Sequence, residues 1–191
     1  MMHRLKIATG VAGGALLCAL AAPAVADQPV FLGSVRVSTD LTGYEEVPTL
    51  NSNGSGEFTA RIRQDGSAID YTLTYRDLPN VTQAHIHFGR PATTGGIVLW
   101  LCNQTASPPA GITPPACQSN AAATSSTVTG TLTPADLVPV PNQGVATFAD
   151  VIDAIRNSAA YANIHTTVRP TGEIRGSLST NGRDRDHGHH D

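Results

Sequence analysis

Lysine is almost missing from this 191-residue chain, with Lys6 the only one. It falls in a stretch that reads as a removable leader, so Schiff-base, lysine-nucleophile and phosphate-loop chemistry is excluded for the remainder. No GxSxG, no HExxH and no recognisably spaced pair of carboxylates occurs, which removes the common hydrolase arrangements and leaves no catalytic residue to name. A basic cluster is missing too. Beyond the leader, ten arginines face fifteen acidic residues, a formal charge of −5, so nucleic acid is not an expected partner.

What is present begins with "MMHRLKIATGVAGGALLCALAAPAVADQ": a basic head of His3, Arg4 and Lys6, an apolar run from Ala8 to Leu20, and the small residues AVA before Asp27. This pattern predicts a signal peptide over residues 1–26 and a secreted protein, periplasmic or extracellular. The run is shorter than the roughly 18 residues a spanning helix needs, and no second one follows, so no transmembrane segment is expected after cleavage. The remaining chain suits one domain, residues 27–180, with its core over about 31–178.

Cys18 leaves with the leader, and Cys102 and Cys117 remain as a pair in an oxidising compartment, where a disulfide is expected. It would close a 16-residue loop; the chain-entropy model gives such a loop about 3 kcal/mol. The rival reading, two metal thiolates, has no CxxC spacing behind it.

From Phe31 onward, short apolar-alternating runs ("VRVST", "GEFTARIR", "AIDYTLTYR", "TQAHIHFG", "GIVLWLC", "STVTGTL", "AYANIHTTV", "GEIRGSLS") are punctuated by Gly, Asn and Pro. They predict an all-β antiparallel sandwich or barrel. Asp65-Gly66 in "RQDGS" is a hairpin signal that pairs residues 57–63 with 68–76. In "TFADVIDAIRNS" the period changes. Phe148, Val151, Ile152 and Ile155 recur at helical spacing behind a Thr147/Asp150 capping box, so one short helix is expected over 148–157. "TPADL" (133–137) predicts a single helical turn, and residues 103–124 a long surface loop. The tail, 181–191, carries His187, His189 and His190 among charges and glycine; it is expected to be disordered and to pick up divalent ions only weakly.

The informative stretch is "QAHIHFG". On a strand, His85 and His87 share one face while Ala84, Ile86 and Phe88 share the other, which should be the core face. In "YANIHTTV" the same parity sets Tyr161, Asn163 and His165 apart from Ala162 and Ile164. If the two strands are neighbours, three imidazoles converge, and imidazole suits copper and zinc. Protons would then compete with metal as the pH falls through about 6.5. The structural alternative is that the histidines bond to backbone or to Tyr161, Asn163, Glu45 and Glu46 in a half-buried polar patch. Arg175 is read as a supporting polar residue, a partner for Glu173 or Glu46 in what would ordinarily be a surface ion pair.

Four stretches in order, "LTGYEEVP" (41–48), "AHIHFG" (84–89), "YANIHT" (161–166) and "GEIRG" (172–176), resemble the motifs of the CHRD domain. That family is named for chordin and also occurs as a single domain in secreted bacterial proteins. The resemblance implies an immunoglobulin-like β-barrel distantly similar to copper/zinc superoxide dismutases, in which a His-x-His strand pair helps to hold copper on the outer face. It brings no assigned activity, and the bridging histidine and zinc-site cluster have no counterparts here, so dismutase chemistry is not implied.

Two functions of different class follow. One is a secreted binding or envelope-associated module that contacts an extracellular or envelope partner. The other is a periplasmic or extracellular copper-binding protein using His85, His87 and His165, with Glu46, Tyr161, Asn163 and Arg175 in support and weak redox activity conceivable. The leader is testable at once: terminal sequencing of exported protein should begin at Asp27, and an intact leader on it would refute the export reading.

Overall fold

The computed structural model describes residues 34–118 and 125–180; the expected leader and the histidine-rich tail lie outside the described residues. The architecture is all-β. The strands are β1 (Val35–Thr42), β2 (Ser55–Ile62), β3 (Ile69–Arg76), β4 (Val81–Phe88), β5 (Gly96–Asn103), β6 (Ser125–Leu132), β7 (Ala160–Thr166), β8 (Ile174–Ser177) and β9 (Ser179–Thr180). They form one antiparallel sheet in the order β5-β4-β7-β8-β1-β2-β3-β6, with β9 beside β1. Of the two expected architectures, the outcome is a nearly closed barrel. The edge strands β5 and β6 come into contact, and the Tyr71 hydroxyl donates from β3 to the Leu101 carbonyl on β5.

The local signals explain the elements. The Asp65-Gly66 turn, with Gly66 at φ +68°, joins β2 to β3 in full antiparallel register from Ser55↔Arg76 to Ile62↔Ile69. β3 keeps the simple alternation, with Ile69, Tyr71, Leu73 and Tyr75 buried and the residues between them partly exposed. The helix α1 (Phe148–Arg156) starts on the anticipated capping box, Thr147 accepting from the Asp150 amide while Asp150 accepts from the Thr147 amide. Its face of Phe148, Val151, Ile152 and Ile155 is buried. Pro134–Asp136 forms the expected single turn. Cys102 and Cys117 are disulfide-bonded and both lie in the core.

Where the strands differ from β3 is where the site lies. Every residue of β7 is buried, as are Ala84 to His87 on β4. Ala84, Ile86, Ala162 and Ile164 enter the core, as the parity requires. The opposite face, expected to be half-open, is covered as well. Three loops lie over it: residues 43–50, 89–95 and 167–173 supply the carbonyls of Glu45, Thr93, Gly95 and Pro170 to side chains on that face.

This two-sided burial makes the faces chemically unequal. Ile86→Asp would bury an unpaired carboxylate among apolar neighbours and should prevent folding, whereas His85→Ala should give soluble protein with the same far-ultraviolet circular dichroism. Equal loss of structure in both would refute the face assignment.

Candidate metal centre

β4 and β7 are adjacent and antiparallel, with Gln83 opposite His165, His85 opposite Asn163 and His87 opposite Tyr161. His165 is thus one step along the same face from His85. β5 flanks β4 on its other side, and its register with β4 breaks between Ala84 and His85 and again between Ile86 and His87. These bulges put Trp100 opposite His85 and Ile97 opposite His87, while Val98, Leu99, Leu101 and Cys102 all go to the core. Bulges re-aim side chains in this way, and they recur beside functional sites.

The three imidazoles converge. His85 Nδ1 lies 3.2 Å from His165 Nε2, and one ring nitrogen from each of His85, His87 and His165 lies within 4.8 Å of the others. Nitrogens bound to one ion at about 2.0–2.1 Å stand roughly 3.3–3.6 Å apart, so the rings must draw closer and the contact between His85 and His165 must open for one ion to take all three.

The tautomers follow from the partners. His87 Nδ1 is 3.0 Å from the Gly95 carbonyl and His165 Nδ1 is 3.0 Å from that of Pro170. A carbonyl only accepts, so both Nδ1 atoms carry hydrogen and both Nε2 atoms carry a bare lone pair. His85 Nδ1 faces such a lone pair on His165 and must donate to it, which leaves His85 Nε2 bare as well. Among the described residues, His85 Nε2, His87 Nε2 and Trp100 Nε1 are the buried side-chain polar atoms with no partner. Leaving such an atom unsatisfied costs about 1–3 kcal/mol. Of the partners expected on the structural alternative, backbone is the one found, at Gly95 and Pro170, and no bond runs from these rings to Tyr161, Asn163, Glu45 or Glu46.

His85, His87 and His165 are 1 %, 8 % and 6 % exposed, and that burial keeps all three neutral. Desolvation, reinforced by the neighbouring imidazoles, lowers His85 to about 2. Desolvation lowers His87 to about 4 against the opposing bond to Gly95, with His165 and Arg175 adding to the fall. His165 is lowered by desolvation, opposed by its bond to Pro170. Neutral imidazole with Nδ1–H anchored to a carbonyl is the state in which histidine ligates metal.

A polar frame surrounds the cluster. Tyr161 stacks on His87 with ring centroids 4.8 Å apart and planes 2° apart, and the Arg175 guanidinium lies 4.5 Å from the centre of the Tyr161 ring. Asn163 donates to Glu46 and to the Ile174 carbonyl. Burial raises the Glu46 carboxyl, against the Asn163 bond and the charge of Arg175. Glu173 accepts from Ser52 and Thr166. Gly172 sits at φ +130°, where a Cβ would come within 2.8 Å of both Asn163 and Glu46. Arg175 departs from the expected surface ion pair: it is 4 % exposed and donates to the Glu45 and Thr93 carbonyls. Among the described residues no carboxylate lies within salt-bridge distance of it. Its long side chain is drawn inward by the Tyr161 ring and by carbonyls that the covering loops would otherwise leave unpaired.

Trp100 is the site residue that sequence reasoning missed. Strict alternation along "GIVLWLC" groups it with Val98 and Cys102, both of which go to the core; the two bulges break that parity, and nothing in the residue types announces them.

Stability should carry the mark of the buried imidazoles. A histidine whose folded pKa lies below its ordinary 6.5 contributes stability that is complete above 6.5 and is lost as the pH falls towards the folded value. For His87 the window runs from 6.5 to about 4 and for His85 from 6.5 to about 2. Glu46, raised above its ordinary 4.5, acts in the opposite sense, but one carboxyl opposes three imidazoles. The melting temperature of metal-free protein should therefore fall steadily from pH 6.5 to pH 4.5 in a thermal series; a flat or rising profile would contradict the assigned neutral cluster.

No curated protein and no solved structure matches the chain. The family model of the CHRD domain matches residues 37–178, a span that runs from β1 through β8 and holds all three histidines, and the chain belongs to the CHRD-domain family.

Proposed function

We propose that this CHRD domain is a metal-binding module of an exported protein, holding one copper ion through His85, His87 and His165. The observation that carries the reading is the convergence of three imidazoles in which His85 Nε2 and His87 Nε2 are buried without a partner; an ion bound by all three would replace the hydrogen bond from His85 to His165. Nothing on the protein donates to the first two, and a cation would satisfy both. The anchoring of His87 and His165 by carbonyls supports it, because such outer bonds fix ligand orientation. Copper is preferred to zinc because an all-imidazole set accepts both and the order of divalent affinities favours copper, while structural zinc sites close with four protein ligands. Bound copper would supply a Lewis acid and a one-electron redox centre; the chain's own part is to hold three neutral nitrogens and exclude bulk water.

Export is part of the same proposal. The leader-like first 26 residues and the Cys102–Cys117 disulfide both point to an oxidising compartment. The companion reading, a secreted or envelope-associated module with a macromolecular partner, draws on the exposed Tyr44 and Val168, which are 67 % and 64 % accessible, and is compatible with a metal in the barrel wall.

The test uses the full chain with His187→Ala, His189→Ala and His190→Ala, which removes tail ligands. It should bind one copper per molecule, and His85→Ala, His87→Ala and His165→Ala should each weaken binding about a hundredfold or more in a chelator competition. Since burial lowers all three imidazoles, affinity should fade only below the pH of about 6.5 at which free histidines would lose the metal. No stoichiometric copper at micromolar metal would overturn the proposal.

A further inference from the structure

Trp100 Nε1 is the third buried polar atom without a partner, and it differs in kind from the other two. An indole N–H is a donor with no lone pair. An ion held by the histidines would satisfy His85 and His87 and leave Trp100 still in need of an acceptor. The indole stands against the His85 ring with centroids 4.2 Å apart and planes at 83°, at the position on β5 opposite His85.

The one cation in the frame is Arg175, whose charge acts on His87 and also on the Glu46 carboxyl. Arg175 is buried beyond the Tyr161 ring, and that ring stacks on His87. Three protein nitrogens also leave an ion short of the four ligands that copper(II) and zinc commonly take. An unmet donor beside an open coordination position calls for a hydrogen-bond acceptor that can also bind the ion.

We propose that the metal position takes a fourth, exogenous ligand, a small anion such as hydroxide or azide, bound to the ion and accepting a hydrogen bond from Trp100 Nε1. This inference rests on the three-histidine reading above. Trp100 and Tyr161 are 7 % and 4 % exposed, so the ligand position is covered from bulk solvent, which favours a small anion over an organic molecule. The anion would meet what the bare protein lacks, a hydrogen-bond acceptor for the indole.

The chain contains one tryptophan, so the protein has a single indole N–H resonance to follow. Azide is the probe, and the protein is the full chain with the three tail histidines replaced by alanine. In the zinc-loaded, diamagnetic form, azide should move the indole N–H cross-peak downfield and slow its exchange with water. In the copper(II) form, azide should give a charge-transfer band. There, Trp100→Phe, which keeps a ring and removes the donor, should weaken azide about tenfold while changing copper affinity by less than about twofold. An indole resonance indifferent to saturating azide, or equal azide affinity in parent and Trp100→Phe, would overturn the inference. Should Trp100→Phe fail to fold, the resonance measurement on the parent decides alone. A chain that takes up neither zinc nor copper overturns the three-histidine reading and this one with it; stoichiometric metal with an unmoved indole removes this one only.

Discussion

A carbonyl oxygen accepts hydrogen bonds and never donates them, and at Gly95 and Pro170 that asymmetry is turned on the two histidines nearest the loops. Each carbonyl draws hydrogen to Nδ1, which forces the lone pair onto Nε2, inside the cluster. His85, whose Nδ1 faces the His165 lone pair, is then obliged to donate from Nδ1 and to leave its own Nε2 bare. Without those two bonds each ring could turn or exchange tautomer and would find a partner elsewhere. The tautomers of all three rings, and the lone pairs on their Nε2 atoms, descend from this constraint.

The carbonyls are held in place by residues that touch no metal. Gly95 is tied to the Tyr161 hydroxyl through its amide, and a Cβ at that position would run into the Phe88 carbonyl at 1.7 Å, so only glycine lets the loop fold back onto β4. Pro170 lies in a turn fixed by the Arg169 amide on Thr166 and by the Gly172 amide on the Arg169 carbonyl. Arg175 reaches across to Thr93 and Glu45 and so binds two covering loops to β8. The four stretches that carry the family resemblance therefore meet around one site. "EEVP" gives Glu46 and the Glu45 carbonyl, "AHIHFG" two histidines, "YANIHT" Tyr161, Asn163 and the third, and "GEIRG" Arg175 and the turn glycine.

Such a site is costly to keep in an apo barrel. Three buried polar atoms without partners each subtract about 1–3 kcal/mol, and natural proteins accept local departures of this kind chiefly at functional positions. The rest of the molecule is built more conventionally. β3 and α1 bury clean apolar faces, the hairpin and caps use ordinary turn chemistry, and the disulfide fixes the long segment after β5. The contrast between an orthodox core and an unsatisfied polar cluster on the other side of the same strands is what singles the cluster out.

Alternation, turn residues and one change of period carried the all-β class, the β2–β3 hairpin, the α1 helix with its cap, and the separation of His85 and His87 from Ala84 and Ile86. These are local properties, set by the geometry of one strand or one turn of helix, and residue types report them directly. The convergence of the three histidines was legible only as a condition, since parity says which face a residue takes and not which strands are neighbours. The sequence did not carry the covering of the outer face, the inward placement of Arg175, the carbonyl anchors or the arrival of Trp100. Every residue has a carbonyl, so composition cannot mark the two that matter. The bulges that bring Trp100 to His85 depend on how β5 fits β4. Those features were decided by tertiary structure, because loops closing over a sheet and strands slipping register respond to the whole barrel rather than to the residues beside them.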